Sequence, residues 1–113
     1  MIDQGDVYWI DLGAPTGSEP GLRRPYVVVQ SNAFNHSRIQ TVVVCAVTTN
    51  LERAVAPGNV LLEQGEANLT RPSVVNVSQI VTVDKGRLHE RIGTLSRERM
   101  EDIVHGIRLV MET

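Results

Sequence analysis

One cysteine, one lysine, one tryptophan and one phenylalanine among 113 residues leave little material for several common chemistries. Cys45 alone cannot form an internal disulfide, which fits a reducing compartment. It sits between Val44 and Ala46 in an apolar run, where a buried, inert thiol is expected. His36, His89 and His105 are far apart, with no paired spacing and one cysteine to help, so neither a metal nor another cofactor is expected. The chain has no glycine-rich phosphate loop ending in Lys-Ser or Lys-Thr, no dinucleotide fingerprint and no nucleophile elbow. No apolar run reaches the roughly 18 residues of a membrane span. The first residues, MIDQGDVYWIDL, are acidic and lack the basic start and apolar block of a secretory signal. The expectation is one cytoplasmic domain over residues 1–113 that does not touch a membrane.

The net charge of −2 excludes a uniformly basic nucleic-acid binder, but its distribution is uneven. Of the eleven basic residues Lys85 is the only lysine, so ten are arginine. Arginine carries a planar, permanently charged fork that suits phosphate. Anion contacts and compositional drift account equally well for that bias.

Strand signals recur at short intervals. Residues 7–12, 26–30, 41–49, 59–63 and 73–84 are β-branched, alternating or both, and 91–95 adds a sixth short run. The stretch TVVVCAVTT is expected to be buried on both faces. The C-terminus then changes period. Met100, Ile103, Val104, Ile107, Val110 and Met111 form one stripe of a helix, with Ser96 as its N-cap and Glu98 in the first turn. His105 lies off that stripe, as a surface residue would. Strands without regular helical crossovers argue against a parallel doubly wound fold. The fold class is mainly β with one C-terminal α-helix, built as a small, strongly bent antiparallel barrel.

Chemistry concentrates at the opening loop, GSEPGLRRP, residues 17–25. It carries Glu19, Arg23 and Arg24 directly before an apolar strand. Pro25 pushes Arg24 toward extended backbone, which suits oriented anion binding. Thr48 ends the long 41–49 run where the chain leaves the core, a position that β-propensity alone also explains.

Taken in order, GDVYWIDL, Gly-Ser-Glu, a short spacer, RPYVVVQ, an Asn-rich loop, VVVCAVTT, SVVNVSQIVTVDKGRL and IGTL resemble the MazF/PemK family of toxin endoribonucleases. The resemblance runs nearly end to end. It implies a small SH3-like barrel, usually a homodimer, that cuts single-stranded RNA without a metal. The implied chemistry is attack by a 2′-hydroxyl, leaving a 2′,3′-cyclic phosphate and a 5′-hydroxyl. The family's catalytic arginine falls on Arg24, its catalytic threonine on Thr48 and its loop carboxylate on Glu19. The loop serine falls on Ser18 and the late-strand glutamine on Gln79. Arg23 and Arg38 would add phosphate contacts, and Phe34 in SNAFNHS is the candidate exposed stacking platform, with Trp9 expected in the core. Arg23, Arg24 and Arg38 are expected to cluster along one groove. An acidic C-terminal tail of a cognate antitoxin would fill that groove.

Three positions depart from the usual family pattern. Pro20 follows Glu19 where glutamine is common, Tyr26 replaces a small aliphatic residue, and Arg23 doubles the charge beside Arg24. Two other functions share the fold: a poison of DNA gyrase and a catalytically silent binding module. The first acts through the end of the C-terminal helix, which here is plain LVMET. The second keeps the same residues without the cleavage.

Overall fold

A computed structural model describes residues 1–13, 17 and 23–112. Six strands, β1 (Asp6–Asp11), β2 (Arg23–Val28), β3 (Thr41–Thr48), β4 (Val60–Leu62), β5 (Ser73–Asp84) and β6 (Glu90–Thr94), form one sheet in the order β4-β5-β3-β2-β1-β6. All five pairings are antiparallel. A single helical turn, α1 (Asn32–Asn35), follows β2, and α2 (Arg97–Met111) closes the chain.

Alternation sorts the strands into two apolar faces. One gathers Val7, Val27, Cys45, Val47, Val75 and Val77 against Met100 and Ile103 of α2. The other gathers Tyr8, Ile10, Tyr26, Val28, Val42, Val44 and Ala46. β2 and β3 lie inside the sheet and contribute to both clusters, so the dense valine run of β3 has apolar neighbours on either side.

β5 is too long to stay flat. Its register against β3 jumps from Cys45↔Ile80 to Ala46↔Asn76, leaving residues 77–79 in a bend. Bulges of this kind increase twist and curl the strand. Asn59 Oδ1 accepts the Val77 backbone N–H at 2.9 Å, which satisfies the donor that the bend takes from the ladder. The curl brings β6 to the 3₁₀ turn Glu66–Asn68. There Asn68 Nδ2 donates to the Ile92 carbonyl at 3.0 Å. Gly93 lies so close to the Ala67 backbone that a Cβ would run into the Ala67 carbonyl.

Helix α2 starts where expected. Ser96 Oγ accepts the Arg99 backbone N–H at 3.2 Å, and Met100, Ile103 and Gly106 are buried. Arg99 grips Glu66 through two bonds of 2.8 and 3.0 Å, tying the helix to the closing turn. That guanidinium holds the Glu66 carboxyl below the usual carboxylate range. The expected apolar stripe overshoots the sheet, because Val110 and Met111 are exposed at the helix end. Among the described residues no helix is long and apolar enough to cross a membrane.

Candidate active site

β2 begins three residues earlier than the sequence pattern indicates, so Arg23 and Arg24 belong to a strand and not to a loop. This changes what the two arginines can do. Consecutive strand residues point to opposite faces. Arg24 shares the face of Tyr26 and Val28, whereas Arg23 shares that of Val27. The expected doubling of charge beside Arg24 is therefore corrected: the pair is split across the sheet.

Arg24 and Thr48 lie at the same end of the adjacent strands β2 and β3. The β2–β3 ladder ends at the pair Tyr26↔Ala46, and Arg24 and Thr48 each lie two residues beyond it, on the same face of their strands. Both are half-buried at the end of the face that holds Tyr26 and Ala46. Strand β1 supports Arg24 from the other side through Ile10. Thr48 Oγ1 accepts the Asn50 backbone N–H at 3.1 Å, which fixes the hydroxyl and leaves its own hydrogen to donate outward. Tyr26 lies below, fully buried. Among the described residues its hydroxyl is the one buried side-chain polar atom without a hydrogen-bond partner. Burial pushes that hydroxyl up from its ordinary pKa, and the Arg24 guanidinium acts against the rise.

The remaining candidates are dispersed. Gln79 lies in the β5 bend, level with Cys45 and Ala46 and short of Thr48. Phe34 is 57% exposed on α1, and the exposed Arg38 follows it. Both come after the far end of β2, whose Val28 is about 13 Å of strand away from Arg24. Within one chain Arg23, Arg24 and Arg38 thus do not cluster, which corrects that expectation. Ser18 and Glu19 lie outside the described residues.

Trp9 is also corrected. It is half-buried on the face opposite Tyr8 and Ile10, and the Arg23 guanidinium covers its ring 4.7 Å from the centroid. Arg23 Nη2 in turn donates to Glu90 at 2.7 Å. Arg87 and His89 complete a cleft of about 250 Å³ around this pair. Sequence reasoning missed the cleft, although strict alternation along WID and RRP contained the signal.

Cys45 is fully buried in mid-strand, and burial pushes its thiol up to about 12. The native protein will not react with Ellman's reagent at pH 8, and one equivalent will appear on denaturation. Prompt reaction of the folded protein would show that the strand opens.

Comparisons with known proteins agree with this architecture. The pattern of the family described as "PemK-like, MazF-like toxin of type II toxin-antitoxin system" matches residues 3–111. The chain is 42% identical over 112 residues to Endoribonuclease MazF6 of Mycobacterium tuberculosis, covering 99% of this chain and 98% of that protein. It is 37% identical over 107 residues to Endoribonuclease MazF of Staphylococcus saprophyticus, covering 95% and 88%. A solved endoribonuclease from a mycobacterial species, in complex with its cognate antitoxin, has the same fold. Its TM-score is 0.80 at 24% identity, over 98% of this chain and 95% of that one. With the family pattern matched over residues 3–111 and near-complete coverage of a 42% identical relative, this chain belongs to the PemK-like, MazF-like toxins of type II toxin–antitoxin systems.

Proposed function

We propose that the chain is a toxin that cleaves single-stranded RNA at Arg24 and Thr48, inhibiting translation and growth until a cognate antitoxin binds. The observation that carries this reading is that Arg24 and Thr48 each lie two residues beyond the Tyr26↔Ala46 pair, at the same end of two adjacent strands. A 2′-oxygen attacks the adjacent phosphorus in line, a P–O bond forms to give the 2′,3′-cyclic phosphate, and the 5′-oxygen leaves. Negative charge grows on the non-bridging oxygens. A guanidinium fixed toward them stabilises that state more than the ground state, and the Thr48 hydroxyl donates to the same oxygens. Glu19 is the proposed base or positioning group for the 2′-hydroxyl, Ser18 a loop contact to RNA, and Gln79 a contact from the β5 bend.

Purified protein incubated with single-stranded RNA will therefore yield 2′,3′-cyclic phosphate and 5′-hydroxyl ends, undiminished by EDTA. A 3′-hydroxyl product, or activity that returns only with magnesium, would overturn the mechanism.

The functional unit in this proposal is a homodimer. An apolar groove of about 580 Å³ includes Phe34, Ile39, Val43, Ile80, Val104 and Ile107, with Phe34 and Ile39 among the exposed large apolar residues. A second copy would cover it, so we assign Phe34 to that contact in preference to base stacking. Two-fold pairing is the commonest symmetry among soluble homo-oligomers. Light scattering at micromolar concentration will give twice the chain mass, and Phe34→Asp will give the monomer. A wild-type monomer that cleaves RNA would refute this part. The antitoxin's acidic tail is proposed to compete with RNA for Arg24, in the cytoplasm that the lone reduced cysteine suits.

A further inference from the structure

We propose that the cleft around Trp9, Arg23, Arg87 and His89 is a second nucleotide subsite, holding an unpaired RNA base and its phosphate beside the cleavage centre. The inference rests on the reading of Arg24 and Thr48 given above and extends it to the opposite face of β2. Arg23 lies over the Trp9 ring at 4.7 Å, and half of its side chain remains exposed. Glu90 holds it there at 2.7 Å, so the stacking surface is ordered before a ligand arrives. Unpaired bases stack on aromatic rings and on guanidinium planes, and this pair offers both.

The charges of the cleft separate a nucleotide from a simple anion. Arg87 is anchored by donating to the Asp11 carbonyl at 3.1 Å, and its cation lines the same space as Arg23. A phosphate meets those two cations. Yet Asp11 and Glu90 also line the cleft, each with one carboxylate oxygen already accepting, from the Gly13 backbone N–H at 2.8 Å and from Arg23 at 2.7 Å, and they disfavour a run of acidic side chains. A nucleobase uses them instead, because its exocyclic amino groups donate to carboxylate oxygens. Arg23 and Arg24 are consecutive on one strand with opposite facing. The cleft and the cleavage centre thus lie at the same end of β2, on its two faces.

Trp9 is the only tryptophan, so its emission reports the subsite directly in the wild-type protein. The probe is a mixed-sequence 2′-O-methyl RNA oligonucleotide, which binds without offering a 2′-hydroxyl. Binding is followed independently by anisotropy of a labelled copy. The unlabelled oligonucleotide will quench Trp9 saturably, at the midpoint that anisotropy gives. Trp9→Leu will weaken binding about tenfold with the same salt slope, as loss of one stacked base does. Arg87→Gln will lower the slope of log affinity against log salt by about one, as loss of one phosphate contact does. A purely structural role for either residue would not produce that split. RNA that binds by anisotropy without changing Trp9 emission would overturn the subsite, as would folded variants with wild-type affinity and slope. Quenching by polyglutamate but not by RNA would assign the cleft to an acidic polypeptide and refute the proposal. Absence of RNA binding and cleavage by the wild type would instead remove the reading on which the proposal rests.

Discussion

Arg24→Ala protein will cleave RNA about 100- to 1,000-fold more slowly than wild type while keeping its melting temperature within a few degrees. The rate loss follows from removing one preorganised donor aimed at the charge of the transition state. The fold survives because Arg24 pairs with Ile10 through its backbone, which alanine preserves. Arg24→Lys will fail nearly as badly, since an ammonium cannot reproduce a planar fork on two phosphate oxygens. The decisive control is Thr48→Val, which keeps the β-branched shape but removes the hydroxyl that Asn50 orients. Its defect should fall in kcat and not in KM, as for a contact strengthened in the transition state. A folded Arg24→Ala protein with near-normal activity would move the chemistry elsewhere on the molecule.

The largest effect on stability is expected far from that site, at Gly106. Helix α2 crosses the chain at Gly58 so closely that a Cβ on Gly106 would enter the Gly58 carbonyl. Gly58 cannot retreat easily, because its φ of +80° is already a glycine conformation and its own Cβ position is crowded by Gly106 and Val77. Backbone, unlike the far end of a flexible side chain, has little room to yield. Gly106→Ala should cost about 3 kcal/mol, the upper end for overpacking. At this chain length roughly 4 °C of Tm per kcal/mol gives a fall of about 12 °C. Gly86→Ala is the matched control. Its Cβ would meet nothing within 4 Å, and the change should stay within about 0.5 kcal/mol. A Gly106→Ala protein melting with the wild type would mean that the helix is not held at that crossing.

The parts legible in the sequence were those governed by local periodicity. β5 spans the residues that its alternation marks, and Ser96 caps α2 as its hydroxyl suggests. The start of β2 was hidden by Pro25, a residue that normally argues against a central strand. The structure shows why it is tolerated. The ladder to β3 begins only at Tyr26, so Pro25 sits where one side of β2 has no partner strand. That misreading concealed the opposite facing of Arg23 and Arg24, and with it the position of Trp9. The end of α2 misled for a different reason. Apolar spacing over Val110 and Met111 continues past the last part of the sheet that could cover it, and no local rule records where a partner surface stops.

The closure of the sheet limits how any extended polypeptide can be bound. A partner that joins a sheet as an extra strand needs a long, unpaired row of backbone donors and acceptors. Here one margin, β4, is three residues long, and the other, β6, is occupied at Ile92 and Gly93 by the 3₁₀ turn. On the β4 side, however, β4 covers β5 only at Ser73–Val75, and among the described residues no strand pairs the outer edge of residues 80–84. That stretch of β5 is the part of the margin long enough to take an extended strand. Edge-to-edge growth of misfolded copies is confined to the same stretch, since β4 is three residues long and β6 is covered at Ile92.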